Sequence, residues 1–428
     1  MTGRGLTGDD PAMMRRLRRR RAAESRFRLY GRLSILIALA ALGWLLLSIM
    51  MTGLSAFTQY WVTLDLEVTA PLADEDRNDR RVLADALASR LDAPRDDASR
   101  AELLQIISAS AATRAIRSQF ADNPATMDPR TLSLRIPLSD LSDQFLKGHI
   151  DPALPRGERK ITDRQIGWID RLADEGRIAP RFNRALFVNP DSRDPERAGM
   201  ATGIIGSVMI LMIASALALP IGVGAAIYLD SFAPRTGWGG RLTRVVEVNI
   251  NNLAAVPSIV FGLLGLAVFI NVFGLARSIA LVGGLVLALR MFPTIVIASR
   301  AALQSVPDGV TDAALSLGAS KMQAVFGHKV QIAAPGILTG SIIGMAQALG
   351  ETAPLLMIGM VAFVTEIPAS PTDPATALPV QIFLWSGSAE TAWAERTSAA
   401  VMALLVVLMI INGLAIVMRE RLQRRRKL

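Results

Sequence analysis

Residues 198–229 read AGMATGIIGSVMILMIASALALPIGVGAAIYL, 32 residues without one charged side chain. A helix rises about 1.5 Å per residue, so about 20 apolar residues cross a hydrocarbon core of about 30 Å, and this stretch exceeds that. Working outward from it, Leu33–Phe57, Val248–Ala276 and Thr397–Met418 are also uncharged and long enough. Ser278–Ser299 and Ile332–Thr365 qualify with one charge each, Arg290 and Glu351. Six spans predict a membrane domain that is all-α and polytopic.

Charge placement supplies an expected topology. The net charge is +9, and ten arginines fall in the first 32 residues. The tail after Met418 carries Arg419, Arg421, Arg424, Arg425, Arg426 and Lys427. Basic residues collect on the cytoplasmic side of spans, so both termini are expected there, as are the loops 230–247 and 300–331. Loop 366–396, with four acids and one base, is expected outside. The same placement makes the positive balance a matter of topology rather than of nucleic acid. The expected layout is a basic N-terminus at 1–32, a first span at 33–57, an external α/β domain at 58–197, five more spans within 198–418, and a basic tail at 419–428. The first span reads as an uncleaved anchor, because it is longer than a signal-peptide core and no A-x-A site follows it closely.

Several functions are excluded or disfavoured. The chain has no cysteine and two histidines, His149 and His328, which argues against a thiolate or histidine metal site and against a histidine triad. No G-x-x-x-x-G-K-[ST] loop is present, so the chain is not expected to hydrolyse ATP, and no residue is assigned a catalytic role.

In the external segment, Tyr60, Val62, Leu64, Leu66 and Val68 alternate with polar residues, as do Leu132, Leu134, Ile136 and Leu138, and both runs predict half-buried strands. Asp79–Leu91 and Ala98–Phe120 have helical spacing, and Thr162 with Gln165 forms a capping-box pattern for a helix through Leu172. His149 has no obvious partner, and the segment reads as a folded spacer or docking domain. In the spans, Gly203, Gly206, Gly222 and Gly224 predict close helix packing. Pro220, Pro257 and Pro293 are expected to break or kink their helices.

The stretch Val306–Gly340, VPDGVTDAALSLGASKMQAVFGHKVQIAAPGILTG, starts too polar for lipid. It predicts a short helix bearing Ala313 and Ala314, a turn at Gly318 and a second helix from Ser320 back into the membrane. Asp312, Ala313, Ala314 and Gly318 resemble the EAA-x-x-x-G coupling loop of ABC importer permeases, with Asp in place of Glu. Val330 and Gln331 stand where that family often has Leu-Pro. Ala348-Leu349-Gly350-Glu351-Thr352-Ala353-Pro354-Leu355 and Val256-Pro257-Ser258-Ile259-Val260-Phe261-Gly262 resemble signatures of the PstA family of phosphate permeases. The long external domain is similar to an extension found in one branch of it.

The resemblance implies the type I ABC importer permease fold and alternating-access import of inorganic phosphate across the inner membrane. It also implies the partners: a homologous PstC-like permease, two copies of a PstB-like ATP-binding subunit docking on Asp312–Gly318, and a PstS-like periplasmic phosphate-binding protein. The chain itself would then hold no cofactor, ATP and magnesium being bound by the partner subunits. The other readings are a permease for molybdate, sulfate or phosphonate, and a membrane-anchored sensor, which predicts fewer spans and a cytoplasmic output domain.

Many relatives carry Arg four residues before the signature Glu, where this chain has Gln347. The positive charge for an anion must then come from elsewhere, with Arg290 or an arginine of the partner permease as candidates. A charge at mid-membrane costs about 2.5–3.5 kcal/mol on insertion scales, so such residues face a protein interior. Glu351 is read either as a pathway or gating residue, accepting a hydrogen bond from the proton of hydrogen phosphate or holding an arginine, or as half of a pair that locks helices. Arg290 is either in the pathway or snorkels to the cytoplasmic face. Thr352 either donates to substrate or bonds its own backbone.

Overall fold

The computed structural model describes residues 11–68, 76–122, 130–155, 159–360, 363–388 and 390–424. Of these, residues 11–52 form one body and those from 53 onward a second. The first body consists of most of helix α1 (Pro11–Leu54), which is long and apolar enough to cross a membrane.

The second body opens with the insert. Strand β1 (Thr58–Val68) is the centre of a three-stranded antiparallel sheet, with β2 (Arg130–Pro137) on one side and β3 (Ile178–Phe182) on the other. Both expected strands form, paired Val62 with Ile136 and Leu64 with Leu134. Alternation sends these four side chains into a core shared with Leu83, Leu87, Leu103, Ile106 and Ile169. Helices α2 (Asp76–Leu91), α3 (Asp97–Leu104), α4 (Ala109–Asp122), α5 (Asp140–Leu146) and α6 (Asp163–Asp174) surround it, followed by a single turn, α7 (Ala185–Val188). The Thr162–Gln165 capping box is present at α6. The helix expected over Ala98–Phe120 is instead two helices. Ile107 leaves the helix to bridge Leu138, and Ser108 N–H donates to the Pro137 carbonyl at 3.0 Å, so sheet-edge pairing interrupts the helical ladder. β3 carried no clear alternation and was not expected.

The membrane part comprises α8 (Ala201–Ile227), α9 (Gly237–Ala254), α10 (Ser258–Gly265), α11 (Ala280–Gln304), α12 (Asp308–Ser316), α13 (Lys321–Ala324), α14 (Val330–Leu349), α15 (Ala353–Met357), α16 (Leu378–Ser386) and α17 (Thr391–Arg424). The third expected span, Val248–Ala276, is not one straight helix: α9 and the helix running Ser258–Val272 meet at 104°. Pro257 has no N–H to give and disfavours helical geometry at Val256, and the bend falls at this pair. Pro220 and Pro293 were expected to do the same, yet α8 and α11 run through them.

The bent pair must still cross. The first turns of α8 and α11 are tied to one segment. Leu378 N–H donates to Ser207 Oγ at 2.7 Å and Ala375 N–H to the Ser278 carbonyl at 2.8 Å, while Ile279 bridges Pro374. At the opposite ends, Ile227 and Leu229 pack with Leu303 and Val306. α8 and α11 therefore run in the same direction away from the insert, and only the intervening α9–α10 pair can bring the chain back. Counting that pair as one span, six segments among the described residues are long and apolar enough to cross.

Candidate functional site

The expected fifth span, Ile332–Thr365, ends early. Gly350 N–H and Glu351 N–H bond three residues back, to the Gln347 and Ala348 carbonyls, closing α14 at Leu349. Residues 350–352 are unwound, and Pro354 near the start of α15 fixes a new short turn. The signature Glu351 thus sits in a break between two helices rather than on one.

Across that break stands Arg290. Its Nη2 lies 3.4 Å from Glu351 Oε1, both side chains being about four-fifths buried, and its Nε is buried with no hydrogen-bond partner among the described residues. Arg290 is ten residues past Ala280, so it lies about 15 Å along α11, near the middle of a hydrocarbon core of about 30 Å. The Glu351 carboxylate faces the Arg290 guanidinium across the break. Gln347 is exposed beside the break and Thr352 is half-buried. Thr352 Oγ1 does not cap α15, although its carbonyl accepts from Leu355 N–H at 3.1 Å.

The two signature motifs, about 90 residues apart in sequence, are in contact. Gly262 of α10 lies so close to Pro354 that a Cβ there would stand 2.7 Å from the Pro354 Cα. The VPSIVFG stretch therefore supplies the surface against which the Glu351 break is shaped.

At the end away from the insert, α12 carries Asp312 and Ala313 outward and Ala314 inward. Gly318 takes φ +88°, a conformation that favours glycine, and stops the helix while Leu317 projects at 90% exposure. Behind this knob is a pair that sequence reasoning missed. Lys329, at the foot of α14, donates to Asp230, at the foot of α8, at 2.7 Å, with both side chains nearly buried. The available signal was an isolated acid closing one apolar run and an isolated lysine opening another.

A second missed cluster joins the insert to α17. Lys147 Nζ lies 2.7 Å from Asp143 Oδ2 and 2.6 Å from Glu395 Oε1, and Gln144 also donates to Glu395. His149 does have a partner, Gln144, at 2.7 Å. Arg396 donates to the Ala198 carbonyl at 2.9 Å, and Asp140 and Glu196 line the same small cavity. Burial, followed by the Glu196 charge, pushes the Asp140 carboxyl up to about 7. Among the described residues no group of acids and histidines has the arrangement of a metal site.

Residues 218–428 match the family described as binding-protein-dependent transport system inner membrane component, and residues 14–156 match a domain of unknown function, DUF3333. The chain is 31% identical over 230 residues to "Phosphate transport system permease protein PstA 1" of Mycobacterium tuberculosis, covering 54% of this chain and 72% of that one. The chain belongs to the PstA family of ABC transporter permeases. Another relative, "Probable ABC transporter permease protein YqgH" of Bacillus subtilis, is 30% identical over 251 residues, covering 58% and 78%. Among solved structures, the MetNI methionine ABC transporter aligns at 17% identity and a TM-score of 0.43, over 51% of this chain and 94% of that one. As a PstA-family permease, the chain is a multi-pass membrane transport component. The paired residues Arg290 and Glu351 and the knob at α12 both lie within the matched region.

Proposed function

We propose that this permease forms half of a pathway for inorganic phosphate across the inner membrane, beside a homologous PstC-like permease, with both termini cytoplasmic. The observation that carries the reading is the Arg290–Glu351 pair in a broken span at mid-depth. Irregular backbone inside a membrane is tolerated where it lines a water-filled path or is covered by protein, and the exposed Gln347 beside it calls for such a cover. A guanidinium donates paired hydrogen bonds to phosphate oxygens, and Glu351 holds it in place while accepting a hydrogen bond from the O–H of hydrogen phosphate. Relatives named as phosphate permeases support the choice of anion.

Movement comes from outside the chain. A PstB-like subunit, one of two that hold ATP and magnesium, docks on Asp312–Gly318, and a PstS-like protein delivers phosphate at the insert end. The buried Asp230–Lys329 pair ties α8 to α14 just behind the knob, so a push on α12 moves both helices together. The two helices then pivot as rigid bodies in alternating access.

The test is radiolabelled phosphate uptake by the assembled transporter in cells lacking their own high-affinity system, comparing wild type with Glu351→Gln at matched membrane levels. Unlabelled phosphate should suppress uptake where molybdate, sulfate and phosphonate do not, and the variant should lose most of it. Undiminished uptake by Glu351→Gln would remove the residue from the cycle. Wild-type uptake displaced by another oxyanion would overturn the substrate.

A further inference from the structure

A second basic site lies outside the membrane part. On β1 and β2, Val62, Leu64, Leu134 and Ile136 face the insert core, so Trp61 and Arg135 fall on the opposite face of the sheet. Trp61 pairs with Pro137, and Arg135 pairs with Thr63 two residues along, which makes Arg135 a diagonal neighbour of Trp61. Together with Arg114 of α4 and Arg197 before α8, they line a groove of about 340 Å³.

The groove has more positive charge than it can neutralise. Arg197 is balanced by Asp194 at 3.4 Å, but neither Arg114 nor Arg135 has a carboxylate partner among the described residues. The one acid in the lining is Glu196, whose carboxyl burial raises above its ordinary range. Trp61 lines the groove, and its indole Nε1 is buried with no hydrogen-bond partner among the described residues. A buried donor left unpaired is costly, so a ligand that accepts from it gains the difference.

Position narrows the ligand. Asn189 lines the groove, and its carbonyl accepts from Ala201 N–H at 3.2 Å, the first residue of α8. The groove therefore opens where α8 enters the hydrocarbon, at the level of lipid headgroups and of the pathway mouth. Two guanidiniums without carboxylate partners and a third beside them suit a tetrahedral oxyanion that presents oxygens in more than one plane better than a planar carboxylate, which fills a single fork.

We propose that this groove binds a phosphoryl oxyanion, with Arg114 and Arg135 supplying the charge and Trp61 a directed hydrogen bond. The same chemistry is offered by free phosphate held before entry and by the headgroup of an anionic phospholipid. The site is independent of the Arg290–Glu351 pair and stands whether or not that pair lies on the transport path.

The test uses the full transporter with an Arg114→Gln/Arg135→Gln chain and, separately, a Trp61→Phe chain, which keeps the shape of the wall. One arm measures radiolabelled inorganic phosphate by equilibrium dialysis. The other measures phosphatidylglycerol retained against phosphatidylcholine from equimolar nanodiscs by native mass spectrometry. The double variant should weaken one of these at least about tenfold, and Trp61→Phe about fivefold, as expected for losing charge-assisted and neutral hydrogen bonds respectively. The arm that responds names the source. Arg290 and Glu351 are unchanged throughout, so binding at mid-membrane is common to all samples. Wild-type behaviour of the Trp61→Phe chain in both arms, or of a folded double variant in both arms, overturns the proposal.

Discussion

Replacing Gly262 with alanine places a methyl carbon 2.7 Å from both the Cα and the carbonyl oxygen of Pro354, and 2.8 Å from Met357 Cβ. Carbon contacts settle at about 3.5–4.0 Å, so α10 and α15 must separate by roughly 1 Å. Two of the three obstructing atoms are backbone, and no side chain can swing aside. Overpacking of this kind costs about 1–3 kcal/mol, against up to about 1 kcal/mol returned by alanine's better helix propensity. The net is a melting point lower by a few degrees, at roughly 2–4 °C per kcal/mol for a domain of this size. The functional loss should be larger than the stability loss. Pro354 is three residues from Glu351, and a 1 Å displacement carries the 3.4 Å Arg290–Glu351 contact beyond ion-pair range. Sites that depend on placement lose on the order of 10²-fold for shifts of about 1 Å, so phosphate uptake should fall at least about tenfold. Gly224→Ala is the matched control, since nothing lies within 4 Å of its Cβ. Melting curves and uptake are measured on both variants in the assembled transporter. Gly262→Ala with wild-type uptake and melting would refute the claim that the two signatures shape one site.

Neutralising both members of the mid-membrane pair, Arg290→Gln with Glu351→Gln, should restore most of the stability that either single change loses, about 2.5–3.5 kcal/mol, while uptake stays lost. Recovery of uptake as well would make the pair a helix lock. Asp230→Asn leaves Lys329 buried without its counter-charge, which costs about 3–5 kcal/mol, and Asp230→Asn/Lys329→Met should recover stability in thermal melts but uncouple ATP hydrolysis from uptake. Gly318→Val forces a β-branched residue to φ +88° and should lower the ATPase activity of the assembled complex, whereas Gly318→Asn should largely preserve it. Burial and the neighbouring Glu196, Glu390 and Asp143 raise the Asp140 carboxyl to about 7, with Arg396 opposing, so the folded junction keeps a proton that the unfolded chain releases. Stability should therefore fall as pH rises between about 4 and about 7, by at most about 1.4 kcal/mol per pH unit, and Asp140→Asn should flatten that slope in melts across the range.

Span number, the first two strands and the short helix and turn ending at Gly318 were legible because each rests on a pattern that one sequence displays: run length, alternation, or a short polar joint between apolar runs. The bend at Pro257 and the unbroken passage through Pro220 and Pro293 were not separable, since all three prolines look alike locally and only the packing around them decides. Glu351 and Arg290 could each be placed in a span, but their pairing depends on where α14 unwinds. That in turn depends on Gly262 meeting Pro354, a contact between residues far apart in the chain. The junction at Lys147, Glu395 and Arg396 was invisible for the same reason. Adjacent opposite charges at the head of an apolar run look like an ordinary membrane boundary.

That junction bears on how the insert could be moved between proteins. Lys147 finds its counter-charges half in its own helix, at Asp143, and half in the last span, at Glu395. A graft of residues 58–197 onto a shorter relative would carry the lysine and leave the glutamate behind, and an excision would strand the glutamate instead. Swapping the domain as a cassette therefore means swapping the head of the final helix with it.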